Sequence, residues 1–282
     1  MSAHEGRRVL ITGAARGIGA ALAERLAAQG AKVALLGIEA EILEQTAARC
    51  PGSIWREVDV TDQDQVTDTI DEVARMWGGL DVVVANAGIA SQLPFDGGDP
   101  EVMRAHIEVN VMGCYWTLRA AAPHISHPGG YAVATASLAA AAHAPMMGAY
   151  NASKAAVEAL GNTLRIELKP TGAKVGVAYF AEIDTDMTSR GFGTKAATTL
   201  TGGGTILGVA PLKSAIDALD RGIKNRSRRI CAPRWIAAIL PARMLAQRVM
   251  ELRGFPELGL ALQIAREENA ELTTLQRKKV TS

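Results

Sequence analysis

Val9-Leu-Ile-Thr-Gly-Ala-Ala-Arg-Gly-Ile-Gly19 is a short apolar run ending in a loop that holds Gly13, Gly17 and Gly19, and an Ala- and Leu-rich stretch follows it to about Gln29. The run has the composition of a buried strand and the stretch that of a helix, so the glycines mark a strand-to-helix turn. Glycine there lets the chain bend tightly, lets backbone N–H groups approach a bound diphosphate, and lets the helix lie close on the sheet. Ala15, Arg16 and Ile18 complete the loop. A turn that binds nothing uses the same residues, so by itself the loop leaves nucleotide binding and a plain bend both open.

Outward from this turn, β-branched runs keep alternating with helical patterns. Lys32 to Leu36 precedes a helix to Arg49, and Leu80 to Ala85, Tyr131 to Thr135 and Val175 to Ala178 read as later strands. These runs carry few charges, as strands buried on both faces do. The alternation predicts an α/β fold: a single-domain, Rossmann-like, doubly wound parallel sheet with helices on both faces. Ligands of such sheets sit beyond the carboxyl ends of the strands, and the chemistry is expected there.

Composition narrows the function classes. The chain has 282 residues, 48% of them hydrophobic, which is material for one core with appendages. A net charge of +1 from 30 basic and 29 acidic residues provides no broad basic face, so nucleic acid is not an expected partner. Cys50, Cys114 and Cys231 lie far apart, without metal-ligand or disulfide spacing, so no metal site is expected. With no signal-peptide core between Met1 and Arg8, a reducing, cytoplasmic setting is the expectation. Trp235 to Leu245 is interrupted by Pro241 and Arg243 and falls short of the ~20 residues a transmembrane helix needs.

Several polar groups stand at the ends of the expected strands. Asp59-Val60 follows a short apolar segment; Asp59 could accept a hydrogen bond from an adenine amine or cap the helix ahead of Thr61-Asp62. Asn86-Ala87-Gly88 closes the strand that contains Val82 to Val84 and suits a bend against a ligand or an ordinary turn. Tyr150-Asn-Ala-Ser-Lys154 opens a helix that runs from Ala155 to Leu168, which puts Tyr150 and Lys154 on one face. Ser137 sits at the end of the Tyr131 to Thr135 strand, and Asn110 lies in Val109-Asn-Val-Met-Gly113.

From Val9 to about Ala232, these elements in this order resemble the short-chain dehydrogenase/reductase family. The resemblance implies hydride transfer between NAD or NADP and a carbonyl or secondary alcohol, with Ser137, Tyr150, Lys154 and Asn110 as the catalytic set. A phenol of ordinary pKa about 10 is a poor base near neutrality, so the Lys154 ammonium, together with the positive charge of an oxidised nicotinamide, is expected to favour its anion and let Tyr150 act as general acid or base. Ser137 would hold the substrate oxygen, and Lys154 would also bind the cofactor ribose. Asn110 would support a water linking Lys154 to solvent; its plainer role is a buried amide bonding backbone. The cofactor contacts implied are Gly13, Ala15, Arg16, Gly17, Ile18, Gly19, Gly37, Glu39, Asp59, Val60, Asn86, Ala87, Gly88, Tyr150, Lys154, Ile183 and Thr185.

The sequence departs from the family pattern in two places. Gly37-Ile38-Glu39 stands where relatives usually place an Asp for NAD at the first position or an Arg for NADP at the second, so the choice of cofactor stays open. Glu39 could reach the adenosine ribose or simply favour a helix start, and Arg16 could meet a 2′-phosphate. In Tyr179-Phe-Ala-Glu-Ile-Asp-Thr185, Phe180-Ala181 replaces the usual Pro-Gly, while Ile183 and Thr185 match the residues that contact the carboxamide.

Between Ser137 and Tyr150 no residue carries a fixed charge, so the expected substrate is a small molecule with an apolar body, touched by Ser137, Met146, Met147 and Tyr150. The methionines could equally pack a core or a subunit interface. Thr188 to Val209, rich in Gly, Thr and Ser, reads as a loop, with a lid over the substrate favoured over a plain surface loop. Trp235 to Met250 places Trp235, Ile236, Ile239, Leu240, Met244 and Leu245 at helical spacing, which calls for burial on the same domain or a sister subunit, ahead of a substrate lid and of shallow membrane contact. The expected organisation is therefore 1–233 as the dinucleotide-binding and catalytic domain and 234–282 as a helical C-terminal extension; the family resemblance implies a homotetramer or homodimer. A cofactor-binding regulatory or scaffold protein without turnover is the alternative reading.

Overall fold

The computed structural model describes residues 3–188, 194–203, 205, 208–268 and 272–273. Its elements, in chain order, begin with β1 (Arg8–Thr12), α1 (Gly17–Ala27), β2 (Lys32–Gly37), α2 (Ala40–Ala48), β3 (Ile54–Glu57), α3 (Gln63–Trp77) and β4 (Val82–Ala85). There follow α4 (Pro100–His106), a π-helical turn over Ile107–Met112, α5 (Gly113–Ile125), β5 (Tyr131–Thr135), α6 (Gly148–Glu167) and β6 (Lys174–Phe180). The chain continues through α7 (Lys195–Thr201), α8 (Leu212–Asn225), β7 (Arg229–Ala232), α9 (Ile236–Ile239), α10 (Arg243–Arg253) and α11 (Leu258–Glu268).

All strand pairs are parallel, in the order β3-β2-β1-β4-β5-β6-β7. The order reverses between β1 and β4, so the loops that leave these two strands diverge and open a crevice between them. β4 and β5 are buried along their whole length, which is why their sequences run apolar without alternation. Leu10, Ile70, Leu118 and Val157 fill the core on one face of the sheet; Leu22, Leu26, Leu43 and Leu219 fill it on the other. Edge strand β3 is half-buried, and its Arg56 and Glu57 hide it from a reading based on apolar runs.

Two expectations need correction. Thr188 to Val209 is not all loop: α7 forms there, with the Thr194 hydroxyl accepting from the Ala197 N–H as N-cap and Gly202 closing it in the left-handed region. Residues 189–193, 204, 206 and 207 of that stretch lie outside the described residues. The pattern from Trp235 to Met250 is not one helix either. Pro241 has no N–H to continue the ladder, and a 3-10 turn over Leu240–Ala242 rotates the two halves relative to each other. Ile236 and Leu240 therefore reach the core, while Met244 (82% exposed) and Leu245 (66% exposed) face outward. Arg243 ties α10 to α6 by two hydrogen bonds to Glu158, at 2.7 and 3.1 Å. Among the described residues, no helix is long and apolar enough to cross a membrane.

Candidate active site

Past the carboxyl ends of β1, β2, β4, β5 and β6 lies a cavity of about 310 Å³. Nearly every residue singled out from the sequence lines it: Gly13, Ala15, Arg16, Gly17 and Ile18 from the first turn, Gly37, Glu39, Asp59 and Val60 from the next strands, Asn86 to Gly88, and then Ser137, Met146, Met147, Tyr150, Lys154, Ile183 and Thr185. Gly19 and Asn110 do not line it; they stand behind the wall.

The glycine loop is shaped by close approach. A Cβ on Gly13, whose φ is 65°, would lie 2.7 Å from the Ala87 Cα, and one on Gly19 would lie 2.2 Å from the Gly13 carbonyl oxygen. Asn86 locks the turn, donating from Nδ2 to the Thr12 and Gly13 carbonyls at 3.1 and 3.2 Å, while the Thr12 hydroxyl accepts from the Asn86 and Ala87 N–H groups. No side chain caps α1, so the N–H groups of its first turn are left for a ligand. A diphosphate fits this cradle: glycines where a Cβ would intrude, and a helix start that favours negative charge.

At the next strand ends, Arg16 donates to Glu39 through Nε at 2.8 Å and through a second, shorter bond, and reaches Asp186 at 3.1 Å. Glu39 is the N-cap residue of α2 but makes no capping bond; its carboxylate is spent on Arg16 rather than on the helix start. Asp59 is not the cap of α3. Asp62 is, accepting from the Gln65 N–H, while Asp59 closes a turn by accepting from the Thr61 N–H and hydroxyl at 2.9 and 2.8 Å.

On the other side of the crevice, Ser137 lies just past the end of β5, at the start of a 3-10 turn over Leu138–Ala140, and Tyr150 and Lys154 share the first turns of α6. The Ser137 hydroxyl donates to the Phe180 carbonyl at 3.2 Å, accepts from the Ala139 N–H, and is close enough to Tyr150 to favour its phenolate. The Lys154 Nζ lies 5.6 Å from the centre of the Tyr150 ring and donates to the Thr135 carbonyl at 3.0 Å. Burial holds the ammonium down to about 8. Burial also pushes the Tyr150 phenol above its ordinary value, opposed by the Ser137 hydroxyl. Within the chain by itself, desolvation of the phenolate outweighs its neighbours; the expected lowering also draws on the positive charge of an oxidised nicotinamide. The Thr135 hydroxyl is buried without a partner among the described residues, an acceptor and donor available beside the Lys154 ammonium.

Asn110 sits in the π-helical turn, where its side chain accepts from the Ile89 N–H at 2.8 Å and donates to the Ile89 carbonyl and the Ser153 hydroxyl. The plainer reading of this amide, bonding backbone, describes the side chain. It stiffens the wall behind Gly88, where a Cβ would lie 3.1 Å from the Asn110 Oδ1 and 3.3 Å from the Lys154 Nζ. His106, which the sequence reading passed over, is fully buried with its ring edge-on to Tyr150 at 6.3 Å and its Nδ1 against the Val102 carbonyl.

A family model described as short chain dehydrogenase matches residues 7–206. The chain belongs to that family. It is 34% identical over 207 residues to the (-)-trans-carveol dehydrogenase of Rhodococcus erythropolis, covering 66% of this chain and 74% of that one. To the L-2,3-butanediol dehydrogenase of Corynebacterium glutamicum it is 31% identical over 194 residues, or 63% and 75% of the two chains. A solved short chain dehydrogenase from Burkholderia cenocepacia in complex with NADP superposes with a TM-score of 0.71 at 31% identity, covering 80% of this chain and 96% of that one. This short-chain dehydrogenase is an oxidoreductase that uses NAD or NADP and acts on alcohol or carbonyl groups.

The remaining end of the cavity differs in kind. Met146 and Met147 both line it and both are buried, Met146 also packing on Ala196 of α7. Tyr179 and Phe180 are buried strand residues, and only Phe180 reaches the cavity. Ile183 is fixed by bridging to Ala210, and the Thr185 hydroxyl donates to the Ile183 carbonyl at 3.2 Å. The sequence reading missed Gln92 and Thr273 in the wall, while Leu200 lies in the segment read as a lid and Met250 ends the segment for which a substrate lid is the second reading. Gln92 accepts from the Thr194 hydroxyl and so links the wall to the start of α7, a contact between distant segments that no local spacing announces.

Proposed function

We propose that the enzyme interconverts a ketone and a secondary alcohol on an apolar body, with the Tyr150 Oη holding the proton that the substrate oxygen gains or gives up. The observation that carries the reading is the junction of Ser137, Tyr150 and Lys154 at one wall of a cavity whose far end is the glycine loop. Gly13, Ala15, Gly17 and Ile18, with Gly19 behind them, would hold the cofactor diphosphate. Gly37, Glu39, Asp59 and Val60 would border its adenosine, and Asn86 to Gly88, Lys154, Ile183 and Thr185 its nicotinamide half. When bound there, NAD or NADP supplies hydride chemistry.

Ser137 orients the substrate oxygen towards Tyr150 and stabilises the charge that develops on it. The Lys154 ammonium favours the phenolate that remains once Tyr150 has given up its proton, and Asn110 keeps the wall beside Lys154 in place. A scaffold protein would need the nucleotide cradle but not this cluster, which favours turnover over the scaffold reading. The choice between NAD and NADP turns on the Arg16–Glu39 pair: Arg16 would answer a 2′-phosphate, and Glu39 would bond free ribose hydroxyls.

The apolar lining of Leu138, Ala142, Pro145, Met146, Met147 and Leu200 argues for an apolar substrate. The carveol relative fits that reading better than the butanediol relative does. The test is initial-rate reduction by NADH and by NADPH of a substituted cyclohexanone against a ketose sugar. Higher kcat/KM for the cyclohexanone is expected; faster turnover of the sugar overturns the substrate class.

A further inference from the structure

The outer wall of the substrate end is supplied by the far end of the chain. Met250 on α10 and Thr273 beyond α11 line the cavity together with Met146, Met147 and Leu200. Between them, α11 is tied down on several sides. The Glu268 carboxylate accepts from the Lys195 and Ala196 N–H groups at 2.9 and 3.1 Å, so a residue of α11 closes the exposed start of α7. Arg266 donates to the Asp96 carboxylate at 2.7 Å and to its carbonyl at 3.0 Å. Thr273 pairs with Ala90 in both directions, its N–H to the Ala90 carbonyl at 3.2 Å and the Ala90 N–H to its hydroxyl at 3.0 Å.

The packing beneath these ties leads to the reacting groups. Ala261 and Ala265 of α11 are buried with Ala196 of α7 and Met146, and Leu200 closes the same cluster. Met146 has φ 59°, a left-handed conformation that is unfavourable for a residue with a side chain and persists only where its surroundings enforce it. The surroundings that enforce it include α7 and α11, and Met146 lies in the loop that delivers Tyr150.

We infer that α10, α11 and Thr273 determine substrate specificity: they close the chamber from outside, so that Met250 and Thr273 limit how far an apolar group extends beyond the reacting carbon, while Glu268 holds α7 and Met146 against it. This rests on the reading of that chamber as the substrate site. The small alanines of α11 are what the role needs, because they let two helices meet closely enough to seal a wall without filling it.

Two variants of the full chain test this. In Met250→Trp, kcat/KM for a long 4-alkylcyclohexanone falls at least about tenfold more than for cyclohexanone itself, a discrimination a few methylenes can carry. In Glu268→Ala, amide hydrogen exchange at Lys195 and Ala196 accelerates about tenfold or more and KM for the long ketone rises more than kcat changes. Equal losses for both ketones in Met250→Trp, or unchanged exchange in Glu268→Ala, overturn the inference. If wild-type enzyme reduces neither ketone, the substrate reading fails instead, and the exchange rates still decide whether α11 holds α7.

Discussion

The two ends of the cavity are built by different means. The cofactor end is made of backbone: Gly13, Gly17 and Gly19 shape it within one turn, and Asn86 fastens it to the neighbouring strand. The end proposed for the substrate is made of side chains from separate parts of the chain, Met146 before α6, Leu200 on α7, Met250 on α10 and Thr273 after α11. A backbone cradle tolerates almost no added atom and serves one invariant chemical group, a diphosphate. A wall of flexible apolar side chains yields to substitution and can be reshaped for a different substrate.

The largest effect expected from this contrast is at Gly19. An alanine Cβ there would stand 2.2 Å from a backbone oxygen that has no room to move, so Gly19→Ala should weaken NAD(P)H binding on the order of 100-fold, measured by nucleotide titration. Met147→Leu, a volume-conserving change at the other end, should alter kcat/KM by less than about threefold. Comparable losses in both variants would break the comparison.

Next in size is the pH response. The Lys154 ammonium is lost as pH rises through about 8, so kcat/KM for reduction should fall towards tenfold per unit above that point. Stability runs the other way. The folded chain releases this proton near 8 and the unfolded chain only near the ordinary lysine value of 10.5, so the unfolded state binds more protons in between and stability rises across that window. Urea unfolding at pH 8 and pH 10 reads this term as the difference between wild type and Lys154→Met, which lacks it.

A smaller effect belongs to the adenosine end. Glu39→Gln removes the more tightly bound of Arg16's two carboxylate partners, leaving Asp186, and the ratio of NADPH to NADH affinity should rise about tenfold, the value of one charged contact. An unchanged ratio would remove Glu39 from the choice. Smallest is His106, whose burial holds its pKa below the ordinary value. The unfolded chain therefore takes up a proton first as pH falls below 6.5, stability is lost in that range, and His106→Phe should move the acid-unfolding midpoint lower.

The same contrast governs what could be read from the sequence. β5 was legible as Tyr131–Thr135 because a strand buried on both faces leaves an uninterrupted apolar run, and the glycine loop was legible because its requirements are local. Ser137, Tyr150 and Lys154 were legible through a family resemblance rather than through spacing alone. Edge strand β3 was hidden by its charges and α7 by threonines that favour helices poorly; Pro241 was visible as an interruption, but the turn it imposes was masked by a periodicity that runs across it. Thr273 gave no signal at all, and Met250 only a secondary one through its amphipathic segment, since which distant segment returns to a cavity is decided by tertiary packing. The environment of Tyr150 was likewise out of reach, because desolvation depends on everything around the ring.

The most direct test of the central claim is a Tyr150→Phe variant followed in two ways, by fluorescence titration with NADH and NADPH and by turnover of the best cyclohexanone. Nucleotide affinity should stay within about threefold of wild type while kcat falls on the order of a thousandfold or more, since only the proton-carrying hydroxyl has been removed. Turnover at the wild-type rate in that variant would contradict the account.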